Sequence, residues 1–466
     1  MNTQGFVEAD EIRTRFSRAM SDMYKQEVPL YGTLMALVAE TNSTVMASDK
    51  AVYDHLQRTG EIERLDMERH GAIRVGTPEE LATIARLFAV MGMQPVGYYD
   101  LTPAGVPVHS TAFRAIHEDS LQASPFRVFT SLLRLDLIEN EEIRQRVQAI
   151  LDQRQIFTPN ALRLIEKFET NGGLDTKDAA DFVEQALETF RWHHDATVTA
   201  KDYQRLHDQH RLIADVVAFK GPHINHLTPR TLDIDMIQNG MQQKGITPKA
   251  VIEGPPRRRC SILLRQTSFK ALQETVAFTD QDGIATGSHT ARFGEIEQRG
   301  AALTPKGREL YDILLNAARA ELGEFPSESN AEKYTAILEK HFKDFPDDYA
   351  ELHDKGLAYF RYFPTPKGIA SRSNSHRPSS RQELIAQGHI QHEPLVYEDF
   401  LPVSAAGIFQ SNLGDDSQAH YAGSSNQAEF EKALGQKVTN ELKLYADTQR
   451  RSLLDCSTIL AVSPLV

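Results

Sequence analysis

Residues 68–92, ERHGAIRVGTPEELATIARLFAVMG, decide how the rest of the chain is read. The run Arg69-His70-Gly71-Ala72-Ile73-Arg74-Val75 alternates in polarity and predicts a strand. Thr77, Pro78 and Glu80 then supply an N-cap, a proline at the first helical position and a capping-box acid. The helix they open carries its apolar stripe on Leu81, Ile84, Leu87, Phe88 and Met91, and Gly92 stops it. Three strand-like runs follow, at 95–101, 106–116 and 126–138. The order is strand, helix and three strands.

Residues 222–300 repeat that order. HINHLT (223–228) reads as a strand, 231–244 as a helix stopped by Gly245, and 249–253, 261–269 and 275–278 as strands, with 289–298 as a further one. The two first strands share a spelling, His70-Gly-Ala-Ile-Arg74 and His226-Leu-Thr-Pro-Arg230. Pro229 has no N–H to donate and demotes the second copy to a strand end or an edge. The matching element order predicts an internal duplication. Between the copies, residues 139–218 read as mostly helical, and their apolar stripes (Ile150, Leu162, Ile165, Phe168; Phe182, Ala186, Phe190) read as core. The expected organisation is an N-terminal helical segment (1–64), a first module (65–138), a helical insertion (139–218), a second module (219–312), an auxiliary segment (313–395) and a C-terminal segment with a helix (396–466).

Bulk properties exclude several classes. Of 466 residues, 41% are hydrophobic and 25% charged, which suits a globular chain with a substantial core. A formal charge of −13 argues against a nucleic-acid partner. The one basic run, Arg257-Arg258-Arg259, reads as a solvated turn. No stretch approaches the ~18 continuous apolar residues of a membrane span, and the N-terminus lacks signal-peptide order. Two distant cysteines, Cys260 and Cys456, rule out a disulfide framework and fit a reducing compartment. A cytoplasmic location is expected.

A non-haem Fe(II) site needs two neutral imidazoles and a carboxylate on one face of the metal, with open positions opposite. His70 is one candidate. His226 competes with His223, which a regular strand would turn to the other face, and with the His207/His210 pair, which shares a helical face at i, i+3. Glu295 and Glu297 point the same way on a strand, and Gly294 mildly favours Glu295 by permitting close approach. Arg74 shares the strand face of His70, about 13 Å along at ~3.3 Å per residue, and its fork suits a carboxylate. Each of these residues also has an ordinary structural reading.

Eight stretches appear in order: ERHGAIRVGT, GVPVHSTAFR, PFRVFTSLLRL, HINHLTPRTLDID, LRQTSFKALQE, HTARFGEIEQRG, LTPKGRELYD and YEDFLPVSAAGIFQSNL. Together they resemble the 2-oxoadipate dioxygenase/decarboxylase family, from about residue 5 to the C-terminus. That family is similar to the vicinal oxygen chelate superfamily. The resemblance implies an α+β fold in which paired strand-helix-three-strand modules curl into a cupped sheet around a metal, with helical insertions. It implies Fe(II) on His70, His226 and Glu295, and Arg74 on the substrate's distal carboxylate. Val403 and Ser404 would join the pocket, closed by segment 396–466. The implied reaction takes 2-oxoadipate and O2 to 2-hydroxyglutarate and CO2, a step of lysine degradation. A small-molecule 2-oxo dicarboxylate and O2 are then the partners, with no nucleic acid and no membrane. The alternatives are a metalloenzyme for another 2-oxo acid, or a non-catalytic binding protein of the same fold.

Overall fold

The computed structural model describes residues 5–102, 105–270, 273–280, 283–290, 292–324, 326–373, 380–401 and 426–465. It is a mixed α+β chain with several small sheets.

The strand at residue 69 forms as its alternation requires: β1 spans Arg69–Val75. Thr77 caps the helix Pro78–Val90 by accepting from the Glu80 N–H. The Glu80 carboxylate reaches back to the Gly76 N–H at 2.7 Å, one residue beyond the Thr77 N–H of the expected capping box, and also pairs with Arg154. After Gly92, whose φ of 66° only glycine adopts at little cost, come β2 (Gln94–Asp100), β3 (Val108–Arg114) and β4 (Phe126–Leu133). A short helix, Glu118–Ala123, separates the last two. The strand order is β2-β3-β4-β1, continued by β5 (Leu227–Pro229); β1 runs parallel to β4 and the other pairs are antiparallel.

The second half departs from expectation in three places. The predicted strand at 223–228 starts only at Leu227, where β5 pairs with β1 and sets His70 opposite Thr228. Upstream, the chain is tied by scattered bonds: Ile224 N–H to Phe190 O, Asn225 N–H to Ala72 O, and Tyr24 OH to Asn225 O. The run at 275–278 belongs to a separate hairpin, β7 (Glu274–Asp280) with β8 (Gly283–His289), which follows β6 (Leu264–Ser268). The strand that pairs with β6 is β9 (Glu295–Arg299), shorter than the expected 289–298 because His289 ends β8. Single bridges extend the pairing: residue 253 meets β6 at Gln266, residue 248 meets Phe269 just beyond it, and Arg230 meets Glu297 in parallel.

Residues 360–394 add a third pairing, β10 (Phe360–Pro364) with β11 (Ile390–Pro394), covered by the C-terminal helix Glu441–Leu460. There Gln449 and Ser452 receive the Phe360 and Tyr362 N–H groups. The basic run at 257–259 is more than a solvated turn. Arg258 is buried over the Phe345 ring and donates to the carbonyls of Phe342, Phe345 and Pro346.

Phe88 lies at the junction of the first helix with the sheet, fully buried against Phe113 and Phe190. Truncating a buried aromatic loses transfer energy and leaves a cavity, so Phe88→Ala should cost about 3–5 kcal/mol. Chemical denaturation checks this, and a cost below 1 kcal/mol would contradict the packing described.

Candidate metal centre

Three segments converge on one buried point. His70 comes from β1, His226 from the tied stretch just before β5, and Glu295 from the first position of β9. One ligand atom from each lies within 4.8 Å of the others, and all three side chains are fully buried. His70 Nε2 is 3.0 Å from Glu295 Oε1, and His226 Nδ1 is 3.7 Å from Glu295 Oε2. Gly294 does permit a close approach: a Cβ there would strike the Phe269 ring.

The two candidates on β9 have different jobs. Glu295 Oε1 accepts from Thr228 Oγ1 at 2.9 Å and Gln266 Nε2 at 2.8 Å, which fixes the carboxylate. Glu297 lies behind His70, 2.8 Å from Nδ1, and holds Arg299 through both oxygens. A carboxylate on the far nitrogen orients an imidazole and directs its other nitrogen forward. Here that nitrogen is Nε2, which faces Glu295.

The donor set fits a divalent cation. Both ring nitrogens of His226 and Oε2 of Glu295 have no hydrogen-bond partner among the described residues, although all are buried. Native interiors rarely tolerate such orphans. Burial pushes the His226 imidazole down to about 4, so it stays neutral, as a ligand must. Burial also opposes charge on His70, but Glu297 and Glu295 outweigh it and raise that imidazole. Two carboxylates flanking one ring favour positive charge between them.

Beneath the ligands lies an ion network that sequence reasoning missed. Arg127 holds Glu68 and Glu398, Arg64 holds Glu398 bidentately, Arg230 bridges Glu61 and Glu68, and Arg299 binds Glu297. All eight side chains are buried. Burial disfavours the ionised form of Glu297, yet Arg299, His70 and Arg127 hold its carboxyl well below the usual range. With four arginines against four glutamates, Glu295 is the surplus negative charge. A signal was present in PFRVFTSLLRL, where Arg127 sits among Phe126, Val128 and Phe129 on a buried strand, and the register sets it beside His70.

The other predicted residues fall as follows. Arg74 is buried and donates to Asp215 Oδ2 at 2.6 Å. His223 joins Asp215 and His289 in a second cluster instead of the first. Among the described residues, neither His207 nor His210 belongs to a ligating cluster; His210 instead caps the helix Arg211–Val217. Val403 and Ser404 lie outside the described residues. The chain leading to them is anchored here: the Phe400 ring stands 4.9 Å from that of His70, and Arg299 binds the carbonyls of Tyr397 and Asp399.

The sequence profile of the 2-oxoadipate dioxygenase/decarboxylase family matches residues 16–412. A Pseudomonas putida protein of that name is 69% identical over 460 residues, which is 99% of each chain. An Escherichia coli protein of that name is 55% identical over 453 residues, covering 97% of this chain and 99% of its own. Among solved structures, the hydroxyglutarate synthase of Pseudomonas putida in complex with 2-oxoadipate matches with a TM-score of 0.92 at 66% identity. The match covers 99% of this chain and 100% of that one.

If Glu297 orients His70, Glu297→Gln should weaken divalent-metal binding about 10–100-fold. Competition titration against a chelator measures this, and an unchanged affinity would remove Glu297 from that role.

Proposed function

This chain belongs to the 2-oxoadipate dioxygenase/decarboxylase family, and we propose that it converts 2-oxoadipate and O2 to 2-hydroxyglutarate and CO2 at an Fe(II) held by His70, His226 and Glu295. The single observation behind the metal is the buried cluster of two imidazoles and one carboxylate in which both His226 nitrogens and Glu295 Oε2 lack hydrogen-bond partners among the described residues. This set of donors, leaving open positions, is characteristic of non-haem Fe(II) oxygenases. The atoms balance: one oxygen enters the new carboxylate and the other the hydroxyl, while the old carboxylate leaves as CO2.

When bound, the metal supplies a Lewis acid and template for the 2-oxo acid and the means of using O2. The rest is the work of the chain. Glu297 holds the His70 ring, and Thr228 and Gln266 hold Glu295, so the ligands need no rearrangement. Phe400 and Phe293 stand 4.9 and 5.1 Å from the His70 and His226 rings and keep water from the ligands. Arg74, four residues along β1 from His70, is assigned to the far carboxylate of the diacid.

In this reading residues 65–138 and 219–312 are paired vicinal oxygen chelate-like modules forming a cup. In support, 248–253, β6, β9 and β5 neighbour one another in the order of β2, β3, β4 and β1. The hairpin β7–β8 is an insertion, and 1–64, 139–218, 313–395 and 396–466 are surrounding segments. A cytoplasmic setting goes with two free, buried cysteines. Among the described residues no helix is long and apolar enough to cross a membrane.

Protein loaded with Fe(II) under anaerobic conditions should consume one O2 and release one CO2 per 2-oxoadipate, in preference to 2-oxoglutarate or aromatic 2-oxo acids. Oxygen-electrode and CO2 assays check this. No uptake by iron-loaded protein would leave only a binding role. His226→Ala should lose both iron and turnover, and iron content equal to wild type would overturn the ligand assignment. Chelating the metal should lower the Tm, because an ion that binds only the folded chain stabilises it, and restoring Fe(II) should recover it.

A further inference from the structure

The two buried clusters are built from the same three segments. β1 supplies His70 to the ligand set and Arg74 four residues on. The tied stretch before β5 supplies His226 to the ligands and His223 to the second cluster. The chain through β8 and β9 supplies Glu295 to the first and His289 to the second. The second cluster therefore lies one layer along from the first, and Asp215, from the helix Arg211–Val217, is the group that closes it.

Asp215 is fully engaged there. Its Oδ2 accepts from Arg74 Nη1 at 2.6 Å, and its Oδ1 is 2.9 Å from His289 Nε2 and 3.1 Å from His223 Nε2. The Tyr203 hydroxyl is 2.7 Å from His289 Nδ1. With Nε2–H of His289 donating to the carboxylate, Nδ1 is the acceptor and the tyrosine donates to it. Trp192 lies over His289 and meets the edge of His223, and Phe219 closes the remaining side. These rings leave the imidazoles little freedom to turn.

We infer that Asp215, backed by His289, His223 and Tyr203, is a positioning residue that fixes the Arg74 guanidinium for recognition of the substrate's distal carboxylate, and so sets selectivity for a dicarboxylic 2-oxo acid. This rests on the proposed role of Arg74. A flexible arginine pays rotamer entropy on binding, whereas one held by a charge-assisted bond is ordered beforehand. Asp215 Oδ2 holds one nitrogen of a planar group that carries five donors. The same Asp215, His223 and His289 lie within ligating distance of one another. Arg74 already supplies the positive charge this carboxylate needs and His289 a hydrogen bond to it, which favours the counter-ion reading over a second metal, with His223 at contact distance from Asp215 but outside hydrogen-bond geometry.

The test is anaerobic titration calorimetry of iron-loaded protein with 2-oxoadipate and with 2-oxohexanoate, which ends in a methyl group. Asp215→Asn should lower the ratio of the two affinities tenfold or more. Tyr203→Phe, which removes no charge, should lower it by a smaller factor, and Asp215→Glu should restore part of it. All variants should keep one iron per chain. Arg74→Ala tests the underlying role separately: if it leaves the ratio at the wild-type value, the assignment of Arg74 fails. If Arg74→Ala lowers the ratio but Asp215→Asn weakens both ligands equally or neither, the inference about Asp215 fails while that of Arg74 stands. A second equivalent of metal, lost in Asp215→Asn, would also overturn it. Should Asp215→Asn fail to fold, an unchanged ratio in Tyr203→Phe decides against the proposal.

Discussion

Glu68 is sealed beneath the candidate ligands, fully buried and bonded to Arg127 and Arg230, with Arg64 and Arg299 close by. A lone carboxylate in that place would cost several kcal/mol in lost hydration. It is tolerated because the surrounding charges come to it from five other stretches: the helix Glu61–Leu65, β4, the end of β5, β9 and the stretch at 397–401. Such a network is weak evidence for stability, since well-packed apolar residues can match it. Its physical effect is on geometry. Removing any one partner strands another buried charge at a cost of about 3–5 kcal/mol, so every stretch must be in register at once. Glu297 transmits that register to the His70 ring.

How much of this could be read from the residues varied with the kind of force involved. The helix Pro78–Val90 was legible because cap, first-turn proline, apolar stripe and terminal glycine are all local signals. The candidate ligands were legible as residue types, yet residue pattern alone left His223 beside His226 and Glu297 beside Glu295. Strand parity puts Glu295 and Glu297 on one face and so cannot separate them, and for His223 and His226 it does not apply, because their stretch is not a regular strand. The family resemblance chose between them. The structure brings His226 and Glu295 to the Nε2 side of His70, sets Glu297 behind that ring at Nδ1, and gives His223 to Asp215 and His289.

The hairpin at β7–β8 shows a different limit. Its run at 275–278 has the composition of a sheet strand and forms one, but composition does not say which partner a strand takes. The buried arginines escaped for a related reason. At a quarter of the composition, charged residues are expected at the surface, and only distant partners make Arg64, Arg127, Arg230 and Arg299 tolerable inside.

The stretch at 397–401 has a bearing on how the molecule is made. Glu398 is one of the four carboxylates in the buried network, and it lies far toward the C-terminal end of the sequence. While the chain is being synthesised, His70, His226 and Glu295 all leave the ribosome well before Glu398 does. Until it arrives, Arg64 and Arg127 lack their shared counter-ion, and His70 lacks the ring of Phe400 beside it. The emerging chain therefore holds its candidate ligands without a settled floor, and maturation of the site is deferred until residues 398–400 have been made. A product truncated before residue 398 would carry every ligand and still expose unpaired charge, the kind of defect that quality-control proteases recognise by the unfolding it causes.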